Sequence, residues 1–380
     1  GPGNVFHGIA PEFSPTHPDH DPDWDANPLK TYKVFIEQRI AQIIPGVDTP
    51  VFTYRDANND EGQGTVPGPT ILARFNEPVV VRQHNRLTRD RTYVHHDVEA
   101  SVHLHGGHNP AHADGHPSFY VLPGRERDYF YPNVVPKRKI NNVRQFDLGT
   151  VPSTTWYHDH AMDITGFNVS RGPAAFYLML DELEEGLMRN NVLPFSQHLT
   201  PNNAPQFDIP IALIDQRFNA DGTLFYDFLD HDGRLGDVFT VNGAVQPYFK
   251  VQRRKYRFRV LNASNARVYE LRLSSGQSFL QIGNDSWLLP YAIPVARIPL
   301  AQAQRADIIV DFRNSPNEVF LENIMQQTNG RKPDGPDPNR PTPLVKFIVE
   351  GNNVADDVTV AAGTALRPHD PIRPEDIVAT

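Results

Sequence analysis

Ser101-Val102-His103-Leu104-His105-Gly106-Gly107 is a short run in which histidines alternate with apolar residues. Successive side chains of a β-strand point to opposite faces, so His103 and His105 share one face, about 7 Å apart at Cα, with Val102 and Leu104 on the other. One face is suited to ligation and the other to packing. The arrangement returns in Thr155-Trp156-Tyr157-His158-Asp159-His160-Ala161-Met162, where His158 and His160 face one way and Tyr157 and Asp159 the other. A lone His-x-His is weak evidence. Two copies on neighbouring strands would put four imidazoles into one small volume, and burying them without a metal would leave ring nitrogens without partners. The pair therefore reads as a metal site. An all-imidazole donor set suits copper, zinc or nickel, and the nearby carboxylates are too few for a hard-cation cage, which leaves copper or zinc.

Strand signals continue on both sides of these motifs. Tyr32, Val34 and Ile36 alternate, Val79 to Arg82 is a compact apolar run, Ala174 to Leu180 is another, and Pro67-Gly68-Pro69 and Pro123-Gly124 mark turns. Downstream, Ile209 to Ile214, Phe239 to Asn242, Arg257 to Leu261, Tyr269 to Leu273, Ala306 to Phe312 and Leu344 to Val349 all read as strands. With 35 Pro and 25 Gly punctuating 380 residues, the chain favours many short strands over long helices, and its length calls for two or three domains. The expected organisation is an irregular arm over residues 1–30, a first β-sandwich over 31–185, a second over 186–351 and a linker over 352–380. Asp181 to Asn191 reads as a short helical or loop connector, and the polar Asn314 to Pro343 stretch as an exposed excursion before the last strand.

Composition excludes several function classes. Lys plus Arg number 36 against 45 Asp plus Glu, a net charge of −9, and no basic run interleaves with aromatics, so nucleic acid is not an expected partner. No apolar run approaches the length that spans a bilayer, so no membrane association is expected. The absence of cysteine removes disulfides, thiolate metal sites and Cys nucleophiles together. The chain opens on Gly1 without an initiator Met or a secretory pattern, which reads as a processed start. Its compartment is left open, an extracellular or periplasmic setting being slightly favoured.

Other residues near the motifs read as structural. His108, His112 and His116 stand four apart, but Pro110, Gly115 and Pro117 argue against a helix, so they are loop histidines. Trp156 and Tyr157 read as packing that stiffens the ligand frame, and Met162 as core packing.

The blocks Val102-His103-Leu104-His105-Gly106-Gly107, Asp114-Gly115-His116-Pro117 and Thr155 to Met162 resemble multicopper oxidases, especially the bacterial spore-coat laccase and phenoxazinone synthase branch. Val66-Pro67-Gly68-Pro69-Thr70-Ile71, Val241-Asn242-Gly243, Arg257 to Ser264 and Arg305 to Phe312 support the likeness. The resemblance implies an all-β chain of cupredoxin-like Greek-key sandwiches. It implies His103 as a ligand of a type 2 copper, and His105, His158 and His160 as ligands of the paired type 3 coppers, four of the eight cluster ligands. It further implies one-electron oxidation of phenols or aminophenols, with dioxygen reduced to water. Asp114 matches an acidic position that resembles the family's proton-delivery or water-tuning carboxylate, and an Asx turn with Gly115 is an equal reading of it.

The resemblance also fails at one point. A blue, type 1 copper needs two His and a Cys thiolate, and this chain has no Cys. The third-domain ligand motifs are missing as well. The expectation is the first two domains of a laccase-like oxidase, whose third cupredoxin domain lies on a separate chain or a cleaved segment. A non-catalytic copper-binding or scaffold protein without electron entry is the alternative. A zinc hydrolase, needing a catalytic carboxylate beside three ligands, is a third class.

Overall fold

The computed structural model describes residues 30–57, 65–88, 98–140, 143–195, 207–230, 232–355 and 357–369. The arm expected over 1–30 thus lies outside the described residues except for Lys30, as do His95 and His96.

Among the described residues the first half contains ten strands: β1 (Lys30–Ala41), β2 (Thr49–Asp56), β3 (Ile71–Arg74), β4 (Val79–Asn85), β5 (Val102–His105), β6 (Glu126–Tyr131), β7 (Lys137–Ile140), β8 (Val143–Phe146), β9 (Thr154–Asp159) and β10 (Ala174–Leu180). They form two four-stranded sheets, ordered β2-β1-β4-β6 and β3-β10-β9-β5, with β7-β8 as a separate ribbon. β1 lies parallel to β4 and β10 parallel to β3, whereas the other pairs are antiparallel, the crossovers of a Greek-key sandwich. Val34, Ile36, Phe52, Val81, Val102, Leu104 and Tyr157 meet between the sheets. Val102 and Leu104 thereby spend their burial on the core and turn His103 and His105 away from it.

A helix α1 (Thr165–Ser170) follows β9, and α2 (Glu182–Arg189) follows β10. The connector expected over Asp181 to Asn191 is this second helix. The Asp181 side chain accepts from the Glu184 N–H as its N-cap, and acidic residues in the first turn with Arg189 in the last suit the helix dipole.

The second half adds β11 (Asp208–Gln216), β12 (Val238–Val241), β13 (Ala244–Val245), β14 (Tyr248–Arg253), β15 (Lys255–Asn262), β16 (Tyr269–Leu273), β17 (Phe279–Asn284), β18 (Trp287–Val295), β19 (Ile298–Leu300), β20 (Arg305–Asp311), β21 (Glu318–Asn323), β22 (Met325–Gln326), β23 (Gly335–Pro336) and β24 (Thr342–Asn353). A seven-stranded sheet, β13-β12-β11-β15-β20-β17-β18, faces a five-stranded one, β14-β24-β21-β16-β19. Their core is built from Phe258, Val260, Tyr269, Leu271, Ile308, Phe312 and Phe347. Both halves are cupredoxin-like β-sandwiches.

Two expectations need correction. The polar stretch from Asn314 is not an excursion throughout: β21 sits at the centre of its sheet with Val319 and Leu321 buried, because alternation of apolar residues outweighs the polar flanks. Nor do residues 357–369 behave as a linker. Val358, Val360 and Leu366 pack with Leu180, Met188, Ile282 and Ile309, and the Lys255 ammonium donates to the Val358 carbonyl at 2.8 Å.

The two sandwiches are joined by buried charge. Arg257 and Arg259 on β15 are fully buried, with Glu184 of α2, Asp208 and Asp307 around them. Arg259 forks onto Asp208 at 2.9 and 2.8 Å, and it also donates to the Ser153 and Thr154 hydroxyls at 2.9 and 3.0 Å, where β9 begins. Among the described residues no helix is long and apolar enough to cross a membrane.

Candidate metal centre

The antiparallel register of β5 and β9 sets His103 directly opposite His158 and His105 opposite Trp156. His160, just past β9, donates its backbone N–H to the Ser101 carbonyl at 2.6 Å. Paired residues across a sheet lie close enough for their side chains to touch, so the four rings form one group. The His103 ring centroid lies 5.4 Å from those of His105 and His158 and 5.3 Å from that of His160, and His158 and His160 are 5.7 Å apart. His103, His105 and His158 each bring a ring nitrogen within 4.8 Å of the others, with His160 flanking them. The structure thus brings together all four expected imidazoles.

Backbone carbonyls orient two of the rings. His103 Nδ1 is 2.6 Å from the Asp114 carbonyl oxygen, and His158 Nδ1 is 2.7 Å from that of Asp159. With Nδ1–H donating, each ring offers Nε2 as its free lone pair. His105 Nδ1 approaches His158 Nε2 at 3.3 Å, so these nitrogens converge on one point. Burial, reinforced by the Arg305 guanidinium, lowers the pKa of His105 to about 4, and burial carries that of His158 well below the usual imidazole value. Both rings are therefore neutral at neutral pH, the form that ligates a metal.

Asp114 enters through its main chain. Its carboxylate is half exposed, 3.5 Å from His103 Nδ1, and accepts from Asn109 Nδ2 at 3.4 Å. The carbonyl reaches His103 because Gly115 lets the loop lie against β5: with φ +75°, a Cβ there would collide with the Val102 carbonyl and stand 2.6 Å from His103 Cα. His108, His112 and His116 do not join the imidazole cluster, and the segment holding them forms only a single 3₁₀ turn, Ala111–Ala113. Trp156 stacks on His105 at 5.3 Å between centroids and contacts His158 at 4.2 Å, so it packs against both rings. Met162, in contrast, is half exposed rather than packed in the core, because the chain has left the sheet by Ala161.

Asp159 was missed as more than a strand residue. It is fully buried, and its carboxylate accepts from Ser101 N (2.9 Å), Ala161 N (3.1 Å) and Asn168 Nδ2 (2.9 Å), which braces the starts and ends of the two His strands against each other. Burial raises its pKa to about 7 against the pull of these donors. Its position between two histidines, on the core-facing side, was the only signal available in the sequence.

The donor set fits copper. All the converging atoms are imidazole nitrogens, burial holds His105 and His158 neutral, and His160 Nδ1 is buried without a hydrogen-bond partner. A β-sandwich that presents such a cluster from two paired strands could hold a metal ion.

Comparison with known proteins agrees. The family model described as Multicopper oxidase matches residues 60–182. The chain is 35% identical over 322 residues to a laccase of Bacillus stratosphericus, covering 78% of this chain and 58% of that protein. It is 36% identical to a laccase of Bacillus subtilis, covering 68% and 51%. The crystal structure of the McoA multicopper oxidase from Aquifex aeolicus matches with a TM-score of 0.71 at 26% identity, over 92% of this chain and 68% of that one. The chain belongs to the multicopper oxidase family. It spans 58% and 51% of the two laccases' length.

Proposed function

We propose that this chain supplies half of the copper cluster of a laccase-like multicopper oxidase, which oxidises phenols or aminophenols one electron at a time and reduces dioxygen to water. The observation that carries the reading is the convergence of four imidazoles from β5 and the end of β9. His103 would hold the type 2 copper, and His105, His158 and His160 the type 3 pair. Copper, when bound, supplies one-electron redox chemistry and a site for dioxygen. The chain's own residues do the rest of the holding: the Asp114 and Asp159 carbonyls accept from two rings, burial keeps His105 and His158 unprotonated, and Trp156 packs against both. Asp114, half exposed beside His103, would pass protons toward the cluster.

Without cysteine these 380 residues hold no thiolate-ligated blue copper. The thiolate and the opposing imidazoles would come from a third cupredoxin domain, on a separate chain or a cleaved segment, and the donor pocket would form around that copper.

Two measurements test this. Copper titration of the chain and of His103→Ala and His158→Ala should show binding that each substitution abolishes. Oxidase assay with a phenolic donor should show activity only when a Cys-bearing cupredoxin partner is added. Binding of zinc with rejection of copper would favour a hydrolase instead, and copper binding with no activity in any combination would favour a scaffold.

A further inference from the structure

We propose that Arg305, acting with Ser286, positions both histidine strands from the second sandwich, so that a unit contributing none of the four imidazoles sets their geometry. The inference rests on the copper-cluster reading above.

Arg305 opens β20 and is buried, and its guanidinium reaches across to the first sandwich. Nε donates to the Thr154 carbonyl at 3.2 Å, Nη2 to Ser286 Oγ at 2.7 Å, and Nη1 to the Ala303 carbonyl at 3.0 Å. Thr154 is the first residue of β9, the strand that carries His158. Ser286 Oγ donates onward to the Gly106 carbonyl at 3.4 Å, and the Ser286 carbonyl accepts from Ser153 N at 2.6 Å. Gly106 follows His105 directly. One fork therefore holds the start of one His strand and, through one hydroxyl, the end of the other.

The neighbourhood is built around this contact. Gly106 has φ +88°, and a Cβ on it would collide with Ser286 Oγ and lie 2.7 Å from Arg305 Nη2, so the turn after His105 has no room for a side chain. The nearest carboxylate, Asp285, is 3.5 Å from Arg305 Nη1 and partly exposed. Most of the guanidinium's donors thus serve neutral acceptors on three chain segments. A planar fork with five N–H groups can do this at once, whereas a lysine ammonium offers a single point. Trp287 adds a parallel tie by donating Nε1–H to the Thr150 carbonyl at 2.9 Å.

The test uses the full chain as Arg305→Met, Arg305→Lys and Ser286→Ala, with Arg331→Met, an exposed arginine paired to Asp232, as control. Amide hydrogen exchange of the metal-free proteins is followed over 102–106 and 154–160. Arg305→Met should speed exchange in both segments about tenfold and leave β16, β21 and β24 unchanged. Arg305→Lys should restore part of the protection, and Ser286→Ala should loosen 102–106 alone. Copper affinity should fall at least about tenfold in Arg305→Met, with an altered Cu(II) paramagnetic resonance spectrum, as for residues that orient ligands from outside the coordination sphere. Wild-type exchange in both segments of Arg305→Met would overturn the proposal. If that variant does not fold, wild-type protection of 102–106 in Ser286→Ala overturns it instead. Loosened strands in a protein whose wild type takes up no copper would sink the copper reading and leave the positioning role standing.

Discussion

Glu184→Gln probes the joint between the sandwiches. Glu184 Oε1 lies 2.7 Å from Arg257 Nη1 and 3.0 Å from Arg259 Nη2, and accepts from Ser153 Oγ at 3.1 Å, with all four side chains buried. Burial by itself would raise the carboxyl pKa, but Arg257, Arg259 and Ser153 overcome it and hold the value at about 2, against an ordinary 4.5. At ~1.4 kcal/mol per pH unit this difference corresponds to about 3 kcal/mol of stability in the ionised form. That lies at the lower end of the ~3–5 kcal/mol lost when one member of a buried ion pair is removed, as suits an isosteric amide that still accepts a hydrogen bond. Since the folded-state pKa is the lower one, the contribution is fully present above about pH 4.5 and disappears as pH falls toward 2. Urea unfolding of both proteins should therefore show a gap of about 3 kcal/mol at pH 7 and less than half of it at pH 3. Equal midpoints at pH 7, or a gap as large at pH 3, would refute the assignment of this carboxylate as the anionic centre of the joint.

Two further substitutions act nearer the histidines. Gly115→Ala places a methyl against the Val102 carbonyl in a left-handed backbone, so thermal unfolding should reveal a loss of more than about 1 kcal/mol, and copper titration a weaker site as the Asp114 carbonyl leaves His103 Nδ1. Trp156→Ala removes a buried ring lying against His105 and His158; about 3–5 kcal/mol should be lost in chemical denaturation, while Trp156→Phe should retain most of the stability and the copper site.

The strands and the convergence of the four histidines were largely legible in the chain. Period-two alternation is a local property, so Val102 and Leu104 announce a core face and His103 and His105 the opposite one without any knowledge of the partner strand. The same holds for β11, β15 and β20. It failed at β21, where polar flanks masked Val319 and Leu321, and at 357–369, where isolated Val358, Val360 and Leu366 have no periodicity until a surface exists for them to cover. Buried charges were illegible for a similar reason: Arg257, Arg259 and Arg305 look like surface residues of strands until their carboxylates and carbonyls arrive from distant segments.

From residue types and their order alone follow a β-sandwich chain, two His-x-His strands whose four imidazoles suit copper or zinc, and the absence of any cysteine thiolate. Folding decided that His103 faces His158 rather than Trp156, that Asp114 acts on His103 through its carbonyl, and that the second sandwich grips both His strands through Arg305. A one-residue slip of β9 against β5 would change which rings meet without altering either motif. Strand register and long-range hydrogen bonds depend on the relative placement of segments far apart in the chain, which no local pattern encodes.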